Sequence, residues 1–371
     1  MNLRGGLGRS AIGFAISVVA LALVLRSVDV GAAWATLTTA RREWVALLVV
    51  FVIGDVLLRA VRWRVLLTPL ARVRFGDTLA SLLVGYLANN VLPARLGEVV
   101  RSHDFGERSG ISRSTILGTI VIERVVDTLV VVSIAAVAIL VLSVRGIVAS
   151  AVLVGAAVTA LLVVAIAVGM AAHRLPGADR VRKLLGRWPR IRHVLSKVRV
   201  GLSVVTDVRA MMVAVVLLVV SWSLTVLAFA AAAQAVGVEP TMGQAALLAA
   251  GTNLATAIPA APGYVGTFEL AVVTIAHSVG IARESALAFG ILVHVTTLLV
   301  TSVGGALVVM FGSRRRARRS AAAPAAGSVA PAGFVNAAHF GFSPDASGLE
   351  NMKALQRAVD QTGTIIVSQP G

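Results

Sequence analysis

The fold is decided by a polar stretch inside an apolar segment, which reads Asn89-Asn90-Val91-Leu92-Pro93-Ala94-Arg95-Leu96-Gly97-Glu98. A second polar cluster, Ile122-Glu123-Arg124-Val125-Val126-Asp127, interrupts another long apolar run. Placing one Asp, Arg or Lys at the centre of a membrane helix costs roughly 2.5 to 3.5 kcal/mol on insertion scales. Several such residues close together therefore indicate that the chain handles something polar inside a membrane.

The composition is that of a multi-pass membrane protein. Of the 371 residues, 57% are hydrophobic and only 14% are charged, which is far from the composition of a soluble domain. The net charge of +17 comes from Lys and Arg between apolar segments. This pattern is typical of cytoplasmic loops that contact anionic lipid headgroups, so we expect an anionic lipid surface and no nucleic acid as a partner.

Metal and thiol chemistry are not expected from this sequence. The chain contains no cysteine, which excludes disulfides, thiolate nucleophiles and cysteine-ligated metals. Its six histidines do not follow the spacing of metal ligands. We therefore predict no metal site and no cofactor.

Six apolar stretches have the length of a membrane span, and two more are interrupted. The six run over residues 10–25, 44–58, 114–142, 147–172, 211–236 and 284–311. The first could instead be a cleaved signal peptide, although Arg26 and Asp29 argue against a cleavage site. The segments at 78–100 and 244–279 are broken by Pro and Gly. Proline cannot donate a backbone hydrogen bond, so we predict a re-entrant hairpin or a broken helix for each.

Basic residues between the spans define one consistent topology. They cluster at residues 59–74, 101–113, 174–199 and 314–319. If all four clusters are cytoplasmic, six crossings and two hairpins place both termini inside the cell. The third cluster belongs to a basic loop over 173–209, which predicts either an amphipathic helix on the inner leaflet or a solvated loop.

The two interrupted segments predict an internal repeat. The motif Val91–Gly97 aligns with Ala257–Gly263, and both keep proline four residues ahead of glycine. The repeat halves span residues 76–143 and 243–311. Three crossings lie between the hairpins, and an odd number inverts the second copy. An inverted repeat favours a midplane binding site and alternating access. Chance similarity between alanine-rich apolar segments is the alternative.

The acidic residues of the second polar cluster need partners. Glu123 and Asp127 are four residues apart and share a helix face, whereas Arg124 points to an adjacent face. At 1.5 Å per residue they lie about 14 and about 20 Å into the membrane. We expect Arg95, Arg101 or Arg124 to be the nearest cation. The arginines could clamp a phosphate while the acids receive an amine or relay protons. Alternatively, the whole set is a salt-bridge network that locks the hairpin to this helix.

The candidate binding and translocation residues come from both hairpins and from the second polar cluster. They are Asn89, Asn90, Pro93, Arg95, Gly97, Glu98, Arg101, Glu123, Arg124, Asp127, Pro262, Gly263, Gly266 and Glu269. Asp55 is a further intramembrane acid and a candidate proton or charge partner of one arginine. Asn89 and Asn90 are expected either to satisfy backbone groups near the proline or to touch a headgroup. His294 is expected to be a hydrogen-bonding residue of the bundle interior rather than a proton carrier.

At these motifs the chain resembles the lysylphosphatidylglycerol synthase transmembrane-region family, also described as flippase-like membrane proteins. The matching motifs are Asn90–Arg101, Glu123–Asp127 and Pro259–Glu269, and the resemblance covers about Gly8 to Gly312. It implies an all-α multi-pass protein of the bacterial inner membrane that acts on phospholipids or lipid-linked glycans. The family's best-understood members move aminoacylated phosphatidylglycerol between leaflets, and the substrates of many members are unknown.

The resemblance also limits the expected activity. Bifunctional members carry a soluble aminoacyl-transferase domain after the membrane part, whereas only about fifty residues follow the last basic cluster here. We therefore expect a translocase that binds an anionic headgroup in a midplane cavity and is not an enzyme, and a separate synthase as a possible partner. The alternatives are a membrane-embedded transferase or accessory subunit, with Glu123 or Asp127 as general base, and a scaffold for envelope-glycan enzymes.

The sequence predicts three regions. Residues 1–312 form the flippase-like membrane domain, and residues 313–335 form a basic and Ala/Pro/Gly-rich linker. Residues 336–371 resemble the opening helix and first strand of a pectate-lyase-type β-helix. Solenoids need several stacked coils, so this tail is expected to be an incomplete β-helix.

Overall fold

The fold is a bundle of helices, seen in a computed structural model. It describes residues 3–92, 96–171, 207–256, 260–322, 335–336, 340–343, 348–362 and 365–366. The basic loop predicted at 173–209 lies outside these ranges except for its last three residues. The bundle helices are α1 Leu3–Ser27, α2 Val30–Thr38, α3 Arg42–Leu67, α4 Phe75–Val91, α5 Gly97–Ser109, α6 Arg113–Leu142, α7 Ile147–Ala171, α8 Val208–Ala235, α9 Met242–Ala255, α10 Thr267–Ser278 and α11 Arg283–Ala322.

Short polar residues set where several of these helices begin. The side chain of Asp29 accepts a hydrogen bond from the Ala32 N–H at 3.0 Å and caps α2. Asp207 caps α8 in the same way, at 2.9 Å from the Ala210 nitrogen. Thr241 and Gln244 form a reciprocal capping box at the start of α9. These contacts satisfy N–H groups that have no partner within the helix, and the sequence signals them directly.

Both segments that the sequence predicts to be broken are broken in the structure. The helix α4 ends at Val91 and α5 begins at Gly97, and these two helices pack against each other. In the second half, α9 is followed by a 3-10 turn at Pro262–Tyr264 and then by α10, which packs against α9. A long helix follows each pair, α6 in the first half and α11 in the second. The element order therefore repeats, and the inverted orientation stays a prediction.

Four helices are long and apolar enough to cross a membrane among the residues that the structure describes. They are Arg42–Leu67, Arg113–Leu142, Val208–Ala235 and Arg283–Gly312. The pair α1 and α2 bends by 85° and would add a fifth span if it is one broken span. An all-α multi-pass membrane fold is therefore confirmed. The count of six crossings stays a prediction.

The membrane domain packs its helices closely at glycines. The helix α8 lies along α3, and α4 crosses α11 at Gly304 and Gly305. A Cβ at Gly305 would lie 2.6 Å from the Leu83 carbonyl oxygen and 2.6 Å from the Leu87 Cβ. Small residues let helix backbones approach where lipid supplies no hydrophobic driving force. This crossing joins the first hairpin to the long helix of the second half.

The C-terminal part, which begins at Met310, forms a second compact unit. Its helix α12 (Gly348–Thr362) connects two short parallel strands, β1 (Val335–Asn336) and β2 (Ile365–Ile366). The amide side chain of Asn351 bonds both the N–H and the carbonyl oxygen of Ser343, at 3.0 and 2.8 Å. The helix α11 continues to Ala322, ten residues into the predicted linker. The β-helix resemblance of this tail stays a prediction.

The glycine crossing gives the first prediction. Gly305→Ala should lower the midpoint of thermal unfolding in detergent, because α4 and α11 must separate to admit the methyl group. Overpacking of this kind typically costs about 1–3 kcal/mol. Gly76→Ala is the matched control, since its Cβ would meet no atom within 4 Å, and it should leave the midpoint unchanged or raise it slightly. Equal midpoints for the two variants would contradict the close crossing.

Candidate functional site

A buried ion network links α3, α5 and α6. Arg62 on α3 donates to both acids of α6, at 3.0 Å to Glu123 Oε1 and 3.3 Å to Asp127 Oδ1. Arg101 on α5 donates to the other oxygen of Glu123 at 2.9 Å. The four side chains are between 3% and 8% exposed. One arginine bridges the two acids, so the prediction that they share a helix face is confirmed.

The network continues along α3 and onto α8. Trp222 on α8 donates its indole N–H to Asp127 Oδ1 at 3.1 Å. Arg59 lies 3.9 Å from the other Asp127 oxygen and donates to Asp55 at 2.8 Å. The second Asp55 oxygen accepts from the hydroxyl of Ser221. Asp55 therefore has an arginine partner as expected, but the partner is Arg59 on its own helix.

Two of these arginines correct the sequence interpretation. The sequence interpretation places Arg59 and Arg62 in a basic cluster between spans, but their side chains are only 11% and 3% exposed and belong to the buried network. They follow Asp55 by four and seven residues, a spacing that places all three on one helix face. That spacing is the signal by which the sequence could have placed them inside the bundle.

Aromatic packing fixes the first hairpin to the same network. The Arg101 guanidinium lies 3.6 Å from the centroid of the Trp63 ring, and Trp63 packs against Phe105 with centroids 4.6 Å apart. A desolvated cation over a tryptophan is typically stabilised by about 2 kcal/mol. The geometry therefore matches the structural interpretation of these residues, in which the ion pairs lock the hairpin onto α3 and α6.

A cavity of about 380 Å³ lies between the two hairpins and the helices α3, α6, α8 and α11. The ion pair between Arg124 Nη2 and Glu98 Oε1, at 3.1 Å, borders this cavity. Its side chains are 44% and 28% exposed, more than the other acids and arginines of the network. The polar and ionisable side chains that line the cavity are Asp55, Arg59, Tyr86, Asn89, Asn90, Glu98, Arg124, Asp127, Thr128, Thr225, Thr252, Asn253, Thr256, Tyr264, His294, Thr297 and Thr301.

The structure divides the candidate residues into three groups. Six of them line the cavity, namely Asp55, Asn89, Asn90, Glu98, Arg124 and Asp127. Others lie outside its lining, namely Gly97, Arg101, Glu123, Pro262, Gly263, Gly266 and Glu269. Pro93 and Arg95 lie outside the described residues. The sequence interpretation did not single out Arg59, Tyr86 or Tyr264, which also line it.

The two asparagines of the first hairpin have different contacts. Asn89 Oδ1 accepts from the Gly97 N–H at 2.7 Å and so satisfies a backbone group after the break. Asn90 donates to the hydroxyls of Thr301 and Ser302 on α11, each at 2.9 Å. Gly97 is required here because a Cβ would lie 2.2 Å from the Gly85 carbonyl oxygen. Asn90 therefore ties the first hairpin to the second half.

The second hairpin is held by an acid and a histidine. Glu269 Oε2 accepts from the Gly266 N–H at 2.7 Å, and Glu269 Oε1 lies 2.6 Å from His294 Nδ1. The other ring nitrogen of His294 lies 2.6 Å from the Gly263 carbonyl oxygen. His294 is buried and bonded at both ring nitrogens, so the expectation that it forms hydrogen bonds in the bundle interior is confirmed. At the same tip, the Ala261 N–H donates to the Ser17 hydroxyl of α1 at 2.9 Å.

Comparison with known proteins gives two matches. The family model for the lysylphosphatidylglycerol synthase TM region matches residues 10–305. The chain is also 27% identical over 329 residues to a protein named glycosyltransferase AglD from Haloferax volcanii, a match that covers 79% of this chain and 53% of that protein. The chain thus spans about half the length of this curated relative. No solved structure matches the chain.

The buried network yields a stability prediction. Glu123→Gln should lower the thermal unfolding midpoint strongly, because Arg62 and Arg101 each lose the charge of a buried partner. Breaking a buried pair from one side typically costs about 3–5 kcal/mol. Glu107→Gln is the matched control, since Glu107 forms a partly exposed pair with His103 at 3.1 Å, and it should change stability by less than about 0.5 kcal/mol.

Tryptophan fluorescence during heating in detergent measures both variants, because Trp63 and Trp222 lie in the network. If Glu123→Gln unfolds at the wild-type temperature, the ion network is not what holds α3, α5 and α6 together.

Proposed function

Because the chain belongs to the lysylphosphatidylglycerol synthase TM region family, we propose that it moves phosphate-bearing lipid headgroups between the leaflets of the bacterial inner membrane. The single observation that carries the proposal is the polar cavity of about 380 Å³ between two broken-helix hairpins. Its volume falls in the range of about 300–1,000 Å³ that is typical of small-molecule sites. Its lining comes from both halves of the predicted repeat.

The charges around the cavity are balanced. Four arginines, Arg59, Arg62, Arg101 and Arg124, pair with four acids, Asp55, Glu98, Glu123 and Asp127. A phosphate that enters must therefore take an arginine away from its carboxylate. Separating a fully buried pair leaves an uncompensated charge in a low-dielectric environment, which is costly. The more exposed Arg124–Glu98 pair is the one that can exchange partners at lower cost.

Partner exchange at Arg124 explains how a headgroup would be held. The planar guanidinium can donate two parallel hydrogen bonds to a phosphate. The Glu98 carboxylate, once released, is free to accept from an amine or hydroxyl group of the same headgroup. After the exchange the cavity offers both a cation and a hydrogen-bond acceptor. We therefore expect the headgroup to carry an amine or hydroxyl group in addition to its phosphate.

The hairpin contacts support alternating access. In this state Asn90 ties the first hairpin to α11, and the second hairpin is tied to α11 through His294. Transport requires that the cavity open to one leaflet and then to the other, and inverted repeats supply two hairpins that can do so in turn. We propose that these two contacts form and break alternately.

The basic clusters support the proposed orientation. We place the four clusters in the cytoplasm, apart from the buried Arg59, Arg62 and Arg101, together with both termini, because Lys and Arg accumulate in cytoplasmic loops. The clusters would then contact anionic lipids of the inner leaflet. A separate synthase would supply the modified lipid or the lipid-linked glycan.

A second candidate function is a membrane-embedded transferase or an accessory subunit of one. The name of the Haloferax volcanii relative, a glycosyltransferase, favours it. Asp127 lines the cavity, and its Oδ2 oxygen lies 3.9 Å from Arg59 Nη1, which is longer than a hydrogen bond. This oxygen could act as a general base on a lipid hydroxyl. A glycosyl-transfer assay with a lipid phosphate acceptor, lost in Asp127→Asn, would favour this candidate.

Lipid scrambling in proteoliposomes tests the proposed translocation. Fluorescent phosphatidylglycerol and lysylphosphatidylglycerol probes are run separately with wild type, Arg124→Gln and Glu98→Gln. Each variant should slow translocation at least about tenfold, which corresponds to the loss of about 1.4 kcal/mol from a charge-assisted contact. Arg113→Gln is the control, because Arg113 is 62% exposed and pairs with Glu107 at 4.0 Å outside the cavity.

Two outcomes would contradict this proposal. A well-folded wild type that moves neither probe would exclude phosphatidylglycerol translocation and favour a lipid-linked glycan or the transferase. Equal rates for wild type and Arg124→Gln would exclude phosphate binding at Arg124.

A further inference from the structure

Glu269 and His294 form a pair outside the arginine network. The contacts of this pair determine how many protons it carries. His294 Nε2 lies 2.6 Å from the Gly263 carbonyl oxygen. A carbonyl oxygen can only accept, so Nε2 must carry a hydrogen. The protonation of His294 is then decided at its other nitrogen, Nδ1.

The contact at Nδ1 requires one more proton. Nδ1 lies 2.6 Å from Glu269 Oε1. Without a proton between them, the nitrogen lone pair would face a carboxylate oxygen at hydrogen-bonding distance, which is repulsive. With one proton, the pair is either imidazolium with carboxylate or imidazole with carboxylic acid, and its net charge is zero in both forms. A net-neutral pair is also the form that burial favours.

From this geometry we infer that Glu269 and His294 form a proton-binding site that couples proton occupancy to the conformation of the second hairpin. The inference rests on the proposed translocation function and deepens it, because it names the ion that the second hairpin would bind. It uses residues that lie outside the ion network of α3, α5 and α6.

The surroundings of the pair allow proton exchange. His294 lines the cavity, so a proton can reach Nδ1 from water that enters there. Phe268, which also lines the cavity, stacks on the imidazole with ring centroids 4.3 Å apart. The titratable side chains that share the cavity are Asp55, Arg59, Tyr86, Glu98, Arg124, Asp127 and Tyr264. The three acids among them already pair with arginine, which leaves the histidine as the partner of Glu269.

Loss of the proton would act directly on the hairpin tip. Glu269 accepts from the Gly266 N–H, and His294 donates to the Gly263 carbonyl, so the pair bonds the tip at two points. Both glycines have positive φ, 68° at Gly263 and 87° at Gly266. If the proton leaves, Nδ1 and the carboxylate repel each other and at least one of these bonds must break. The hairpin would then loosen when the site is empty and close when it is occupied.

A single-cysteine reporter tests the site without any transport assay. The chain has no cysteine, so Val265→Cys gives one thiol beside the tip, at a residue that is 47% exposed. An environment-sensitive fluorophore on this thiol should show one transition during a pH titration, because loss of the shared proton breaks a bond at the hairpin tip. The ratio of the two states should change about tenfold per pH unit, as mass action requires for one proton.

The variant Glu269→Gln removes the shared proton but keeps a hydrogen bond at the same position. The amide can donate an N–H to an unprotonated Nδ1, so the hydrogen bond persists without the shared proton. The transition should disappear in this variant. Glu239→Gln, the same change at an exposed loop residue, should keep it. Absence of the transition in the wild-type background, or its persistence in Glu269→Gln, would overturn the inference.

A transport experiment tells the two proposals apart. With a pH gradient across proteoliposomes, wild type should translocate lipid at a rate that depends on the gradient, and Glu269→Gln should lose this dependence. If lipid moves but neither the rate nor the reporter responds to pH, the proton site fails and the translocase stands. If no lipid moves but the reporter shows the Glu269-dependent transition, the translocase fails and the proton site stands.

Discussion

Charge balance inside the membrane is the constraint on which the rest of this structure depends. An isolated arginine or acid at membrane depth is costly, and removing one partner of a buried pair costs several kcal/mol. The chain meets this constraint by pairing acids and arginines across α3, α5 and α6, with Arg62 between Glu123 and Asp127. Because these pairs are long-range, satisfying them also fixes how the first hairpin sits against its neighbouring helices.

The same constraint shapes the cavity. Its walls carry Arg59, Arg124 and three acids, and the buried Arg62 pairs with one of these acids, Asp127. Each of these charges therefore has a partner, and a headgroup that enters as we propose must exchange with one of them. The Arg124–Glu98 pair is the most exposed part of the network and can exchange at the lowest cost. In the second half the acid Glu269 is paired with His294 instead of an arginine. The two halves thus share an order of elements while differing in chemistry.

Sequence reasoning was most successful where the signal is local. The proline and glycine residues correctly predict both interrupted helices. The four-residue spacing correctly predicts that Glu123 and Asp127 share a helix face. It failed at Arg59 and Arg62, because arginines at the end of an apolar run were attributed to a loop rather than to the face that contains Asp55. The contact between His294 and Glu269 joins residues 25 apart across a turn. Such pairings depend on how helices pack, which no local pattern specifies.

We propose that the cavity receives a phosphate-bearing headgroup by partner exchange at Arg124. The most direct measurement is an electron cryomicroscopy structure of the protein in lipid nanodiscs that contain phosphatidylglycerol and lysylphosphatidylglycerol. The account predicts headgroup density in the cavity, with the phosphate at hydrogen-bonding distance from Arg124, Glu98 turned away from it, and the Arg62 pairs intact. A cavity without headgroup density and an unbroken Arg124–Glu98 pair, with ordered lipid only on the outer surface, would contradict it.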